Sequence, residues 1–71
     1  MQVIRRNGEK ADFTLTKIND AIMKAFHATQ MNYTNDIIDL LALRVTADFQ
    51  NKVKDGEVHV EDIHDSVERV L

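Results

Sequence analysis

The sequence predicts a small α+β domain, in which a β-hairpin and a short third strand cover a helical bundle. Three observations predict it. Asn7-Gly8 separates two short segments, residues 2–6 and 9–13. Three longer stretches carry apolar residues at helical spacing. Asp55-Gly56 precedes the triplet Glu57-Val58-His59, which reads as a strand. The implied element order is β-β-α-α-β-α.

The hairpin rests on its turn. A two-residue Asn-Gly loop suits a type I′ turn, which needs positive φ at both central residues. On the second arm only Ala11 and Phe13 are apolar and able to point inward. The first helix starts after Thr14 or Thr16, either of which can cap it, and runs to about Gln30. Ile18, Ile22, Ala25 and Phe26 form its inner stripe, widened by Ala21 and Met23.

The segment "MNYTND" interrupts the pattern, and Thr34 or Asn35 caps a second helix. Ile38, Leu41, Val45, Phe49 and Val53 share one of its faces. Ile37, Leu40, Leu43 and Ala47 form a second strip, which predicts packing on more than one side. Asp55-Gly56 is expected to stop this helix, with glycine in the left-handed position that follows many helices. A last helix from Val60 presents Ile63, Val67, Val70 and Leu71, and its start is poorly capped by His59.

Composition narrows the function classes. The chain has 71 residues, no cysteine and no proline, so disulfides and thiolate metal sites are excluded. A core of this size supplies only ~3–5 kcal/mol net, so a ligand or further chain would add useful stability. The longest apolar run is Leu40 to Leu43, too short to cross a bilayer, and no signal peptide opens the chain. A cytoplasmic protein is expected, without a membrane partner.

Net charge is −3, which disfavours direct nucleic-acid binding. The charge is uneven. Through Lys24 there are five basic residues against three acids; from Ala25 onward there are four against nine. A basic end on an acidic body suits a compact anion.

Catalytic motifs are absent: there is no Gly-x-Ser-x-Gly, His-Glu-x-x-His or Walker loop. His27, His59 and His64 have no metal-ligand spacing and read as surface or interface histidines. Glu61/Asp65 and Asp65/Arg69 read as a solvated helix face. Arg5 and Arg6 have two readings. They protect a strand edge against aggregation, or they hold an anion. Lys17 favours the second, because a cation in a first helical turn opposes the helix dipole unless an anion sits there too.

Taken in order, "VIRRNG", then Phe13, then "KINDAIMKAF" and "VEDIHDSV" resemble the ATP-cone, the regulatory nucleotide-binding domain at the N-terminus of many ribonucleotide reductases. The resemblance spans Val3 to Leu71. It implies ATP or dATP as an allosteric ligand, with magnesium, and no active site in the domain itself. It also implies a parent reductase chain, with its other subunits, as partner.

By that resemblance Arg5, Arg6 and Lys17 meet the phosphates, and Val3 and Ile18 surround the nucleotide. Ile63 and His64 lie near base and sugar, and Thr14 hydrogen-bonds the base. Relatives differ at Asn7, commonly aspartate, and at Val60, often Ser or Thr. Ala11 stands where some carry a glutamate near the base. Relatives usually continue into a fourth helix, so three helices are expected here, in a fragment of a larger chain. The alternatives are the cone of a nucleotide-responsive transcriptional repressor and a helical interaction module without a nucleotide.

Overall fold

A computed structural model describes residues 1–71. Strands β1 (Gln2–Ile4) and β2 (Lys10–Asp12) form the hairpin, followed by helices α1 (Leu15–Ala28) and α2 (Asn35–Phe49). A 3₁₀ turn (Gln50–Lys52), strand β3 (Glu57–His59) and helix α3 (Val60–Val70) complete the chain. The α+β class and the order of elements are those read from the sequence.

The sheet order is β2-β1-β3. β1 is antiparallel to β2, with Val3 opposite Ala11, and parallel to β3, with Val3 opposite Val58. The arginines therefore follow the central strand, while β2 and β3 form the edges. Lys10 on β2 pairs with Glu57 on β3 across β1.

α2 packs against both α1 and α3. The core joins Ile18 and Ile22 of α1, Ile38, Ala42, Val45 and Phe49 of α2, Val58, and Ile63 and Val67 of α3. Phe13 leads from the hairpin onto this core, its ring edge-on to Phe49 at 5.7 Å between centroids. Each large apolar side chain so buried contributes roughly 1.5–3 kcal/mol of transfer free energy.

Helix boundaries follow local chemistry. α1 ends in a Schellman arrangement, with Gln30 at φ 57 and the Met31 N–H donating to the Phe26 carbonyl at 3.0 Å. It therefore stops at Ala28, two residues before the expected end. Thr34 does cap α2, its hydroxyl accepting from the Ile37 N–H at 3.3 Å.

Three expectations are corrected. The Asn7-Gly8 turn is not type I′, because only Gly8 has positive φ, at 87. The Gly8 N–H donates to the Arg5 carbonyl and the Arg5 N–H to the Glu9 carbonyl. This is a three-residue loop in which the Asn7 side chain accepts the Glu9 N–H at 2.9 Å. Second, α2 ends at Phe49, and Val53 is in extended backbone. Asp55 and Gly56, at φ 54 and 74, instead turn the chain between Lys54 and Glu57. Third, the second strip of α2 is not packed: Ile37, Leu40 and Leu43 are exposed.

Candidate functional site

A cleft of about 180 Å³ opens where the hairpin, the start of α1 and the first turns of α3 converge. Its wall begins with Val3 on β1, whose side chain shares the Ala11 side of the hairpin. Ile18 and Ala21 line it from α1, and Val60 and Ile63 from α3. Ile18 and Ile63 are buried, so this floor is fixed by the same packing that holds the helices together. The polar rim is Arg5, Asp12, Thr14, Lys17 and His64. An apolar slot with one rim of cations suits a flat ligand carrying an anionic tail.

The start of α1 is the electrostatic focus. Thr14 stands at its N-cap with extended backbone, but its side chain makes no capping bond. The first turn contains no acid. The positive dipole end of α1 thus lies beside Lys17 with no acid in its own first turn. The Lys17 N–H donates to the Thr14 carbonyl at 3.2 Å, and Asp12 stands on the same rim. The other two helices differ. α2 is capped by Thr34 and carries Asp36, and α3 has Glu61 and Asp62 in its first turn. Only α1 has both an uncapped first turn and a lysine there.

Of the residues singled out in the sequence, Val3, Arg5, Thr14, Lys17, Ile18, Ile63 and His64 line this one cleft. Arg6 does not. It stands in the loop after Arg5, and its Nε lies 3.3 Å from Oε1 of Glu61, both side chains largely exposed. Arg6 lines a second, shallower groove with Gly8, His59, Glu61 and Asp62. The two hollows share Arg5 and Val60, so Arg6 stands one residue beyond the cleft rather than across the molecule.

Asp12, Phe13 and Ala21 also line the cleft, with no site role assigned to them from the sequence, and so do Ala11 and Val60, the two positions where relatives carry other residues. Asp12 ends a strand and shows no functional signal without the fold. Asp12 is the only acid in the wall. His27 lies elsewhere, at the end of α1, with Nε2 2.9 Å from the Tyr33 hydroxyl. No three His, Cys, Asp or Glu side chains gather as a metal site, and no helix is long and apolar enough to cross a membrane.

A small mixed sheet over three helices, with a cation-rimmed apolar cleft, is an architecture suited to a ligand-binding module. Comparison with protein-family models matches residues 1–71, the whole chain, to the ATP cone domain. The chain belongs to that family. It is thus a regulatory domain that binds nucleotides such as ATP and dATP, and is not itself catalytic. No individually curated protein matches it.

Proposed function

We propose that the cleft holds an adenine nucleotide and that its occupancy controls the overall activity of a ribonucleotide reductase to which the domain is joined. The observation that carries this reading is the convergence of Arg5, Lys17 and the uncapped start of α1 beside an apolar slot. The base packs among Val3, Ile18 and Ile63, with Thr14 at its edge. The phosphates extend toward Arg5, Lys17 and the α1 N–H groups. Arg6 reaches them by leaving Glu61, an exposed ion pair of the kind that contributes only about 0–1 kcal/mol. The competing role for the arginines, protecting a sheet edge, fits poorly with their place after the central strand.

ATP and dATP differ by one 2′-hydroxyl, and a ligand shifts an equilibrium only by its preference between states. His64, on the polar rim, is the residue assigned to the sugar. A magnesium ion accompanying the triphosphate would be held by phosphate oxygens and water, since the carboxylates here form no cluster. Linkage to the reductase predicts that adenine nucleotides change turnover of the parent chain; unchanged turnover on ATP and dATP addition would remove that part of the reading.

Titration calorimetry with ATP and dATP tests the site. A charge-assisted hydrogen bond contributes roughly 1.5–3 kcal/mol, so Arg5→Ala and Lys17→Ala are each expected to weaken binding at least about tenfold. Lys52→Ala, in the 3₁₀ turn that follows α2 and outside the cleft, is the control. Equal affinity in all three variants would show that the cleft does not hold the phosphates.

A further inference from the structure

α2 carries a second stripe on the side opposite its core face. Ile38, Ala42, Val45 and Phe49 are buried, while Ile37, Leu40 and Leu43 are 45%, 52% and 60% exposed. Asp36 and Arg44 flank these three residues. Both are exposed, and neither is part of an ion pair. Within residues 1–71, about half of each of these three side chains stays open to solvent.

Its order is symmetric about Leu40. Along the stripe, Ile37 and Leu43 stand three residues to either side and Asp36 and Arg44 four, while Asp39, also exposed, and half-buried Leu41 lie on its two flanks. A two-fold axis through Leu40, perpendicular to the helix, lays α2 of a second copy antiparallel on the first. Leu40 then meets Leu40 of the second copy, Ile37 meets its Leu43, and Asp36 meets its Arg44. The closing contacts occur twice, once at each end, as an isologous interface requires. A parallel arrangement would set Asp36 against Asp36 and Arg44 against Arg44. The charges therefore select one orientation as well as one register, in the way that flanking charges set pairing between helices.

We propose that the exposed face of α2 is a self-recognition surface, through which two copies of this chain pair antiparallel about Leu40. Three apolar side chains on a single helix bury much less than the ~1,200–2,000 Å² of a stable interface, so the dimer is weak and forms at high local concentration. The stripe lies on α2, which contributes no residue to the nucleotide cleft. The inference does not rest on nucleotide binding.

Sedimentation equilibrium of the whole chain without nucleotide, from about 10 μM to about 1 mM, tests it, because weak interfaces of this size populate across that range. A monomer–dimer equilibrium is expected, abolished by Leu40→Asp. Asp36→Arg and Arg44→Asp each create two like-charge contacts and are expected to weaken the dimer about tenfold. The double variant D36R/R44D restores it, because the pair is only exchanged. All these positions are exposed, and circular dichroism checks that each variant is folded. A chain that stays monomeric at the highest concentration overturns the proposal. So does growth beyond dimers, or association that neither charge reversal weakens, or a double variant that fails to recover.

Discussion

Asn7-Gly8 and Asp55-Gly56 each pair a turn-forming polar residue with glycine between short extended segments. Asp55 and Gly56 both have positive φ, and Lys54 and Glu57 exchange two backbone hydrogen bonds of 2.9 Å across them. That is the two-residue type I′ turn. At the first site Asn7 stays at negative φ, its side chain holds the Glu9 N–H, and the loop gains a residue. The dipeptide announces a reversal, but the bonds available to its flanks choose the geometry. The choice has consequences. The second turn places the Gly56 carbonyl to accept the Gln2 N–H at 2.8 Å and starts β3 alongside β1. The first moves Arg6 off the strand and into the loop, where it meets α3.

Placing alanine at each glycine separates scaffold from site, and carries the largest expected effect. A Cβ would meet no atom within 4 Å at either position, so the cost is the left-handed backbone alone. That cost is roughly 1–2 kcal/mol for each of Gly8→Ala and Gly56→Ala. Both should lower the melting temperature by about 4–8 °C per kcal/mol. Only Gly8→Ala should also weaken nucleotide binding, since Arg5 and Arg6 flank that loop. Equal loss of affinity in both variants would show that the first turn has no special relation to the ligand.

The same contrast explains what could be read ahead of the structure. Helical stripes such as Ile18/Ile22 and Ile63/Val67 were legible because burial follows the helical period. Thr34 was legible as a cap because its chemistry is local. The end of α2 was not, since Val53 continues the apolar spacing after the helix has stopped at Phe49. The stripe of Ile37, Leu40 and Leu43 read as buried because periodicity identifies an apolar face without showing what covers it. In the cleft, Arg5 and Lys17 could be picked out by charge and position. The separate placement of Arg6 depends on a side-chain bond of Asn7 and on a glutamate over fifty residues away, which no local pattern encodes.

That glutamate provides a sharper test of the first turn. Glu61 holds Arg6 while removing positive charge from the groove that adjoins the cleft. Glu61→Gln keeps the shape, releases the guanidinium and deletes one negative charge. Nucleotide affinity is expected to rise about two- to fivefold, in line with the modest strength of exposed pairs. Stability should hardly change, and Arg6→Ala should cancel the gain. If Glu61→Gln leaves affinity unchanged, Arg6 serves the contact with α3 and does not reach the phosphates.

The smallest effect is expected outside both turns, at the clasp between α2 and α3. Arg69 donates from Nε at 3.0 Å and from a terminal nitrogen at 2.7 Å to one oxygen of Asp48, and it also reaches the Ser66 hydroxyl. Those bonds from Arg69, and then Ser66, hold the Asp48 carboxyl below the ordinary carboxylate value. A carboxylate lowered in the folded state binds its proton less readily there than in the unfolded chain. Its contribution to stability is therefore present above the unfolded value, about pH 4, and fades as pH falls through the folded one. Arg69 is raised by the same contact and stays protonated throughout that range. Urea melts of the parent chain and Asp48→Asn at about pH 7, 5 and 3 should show a small gap at the first two and a narrower one at the last. Nucleotide affinity at neutral pH should be the same in both, because neither Asp48 nor Arg69 borders the cleft. A gap independent of pH would mean that the clasp acts through shape and neutral hydrogen bonds. A change in affinity would mean that the α2–α3 scaffold and the loop of Arg5 and Arg6 are coupled, and the division between the two regions would fail.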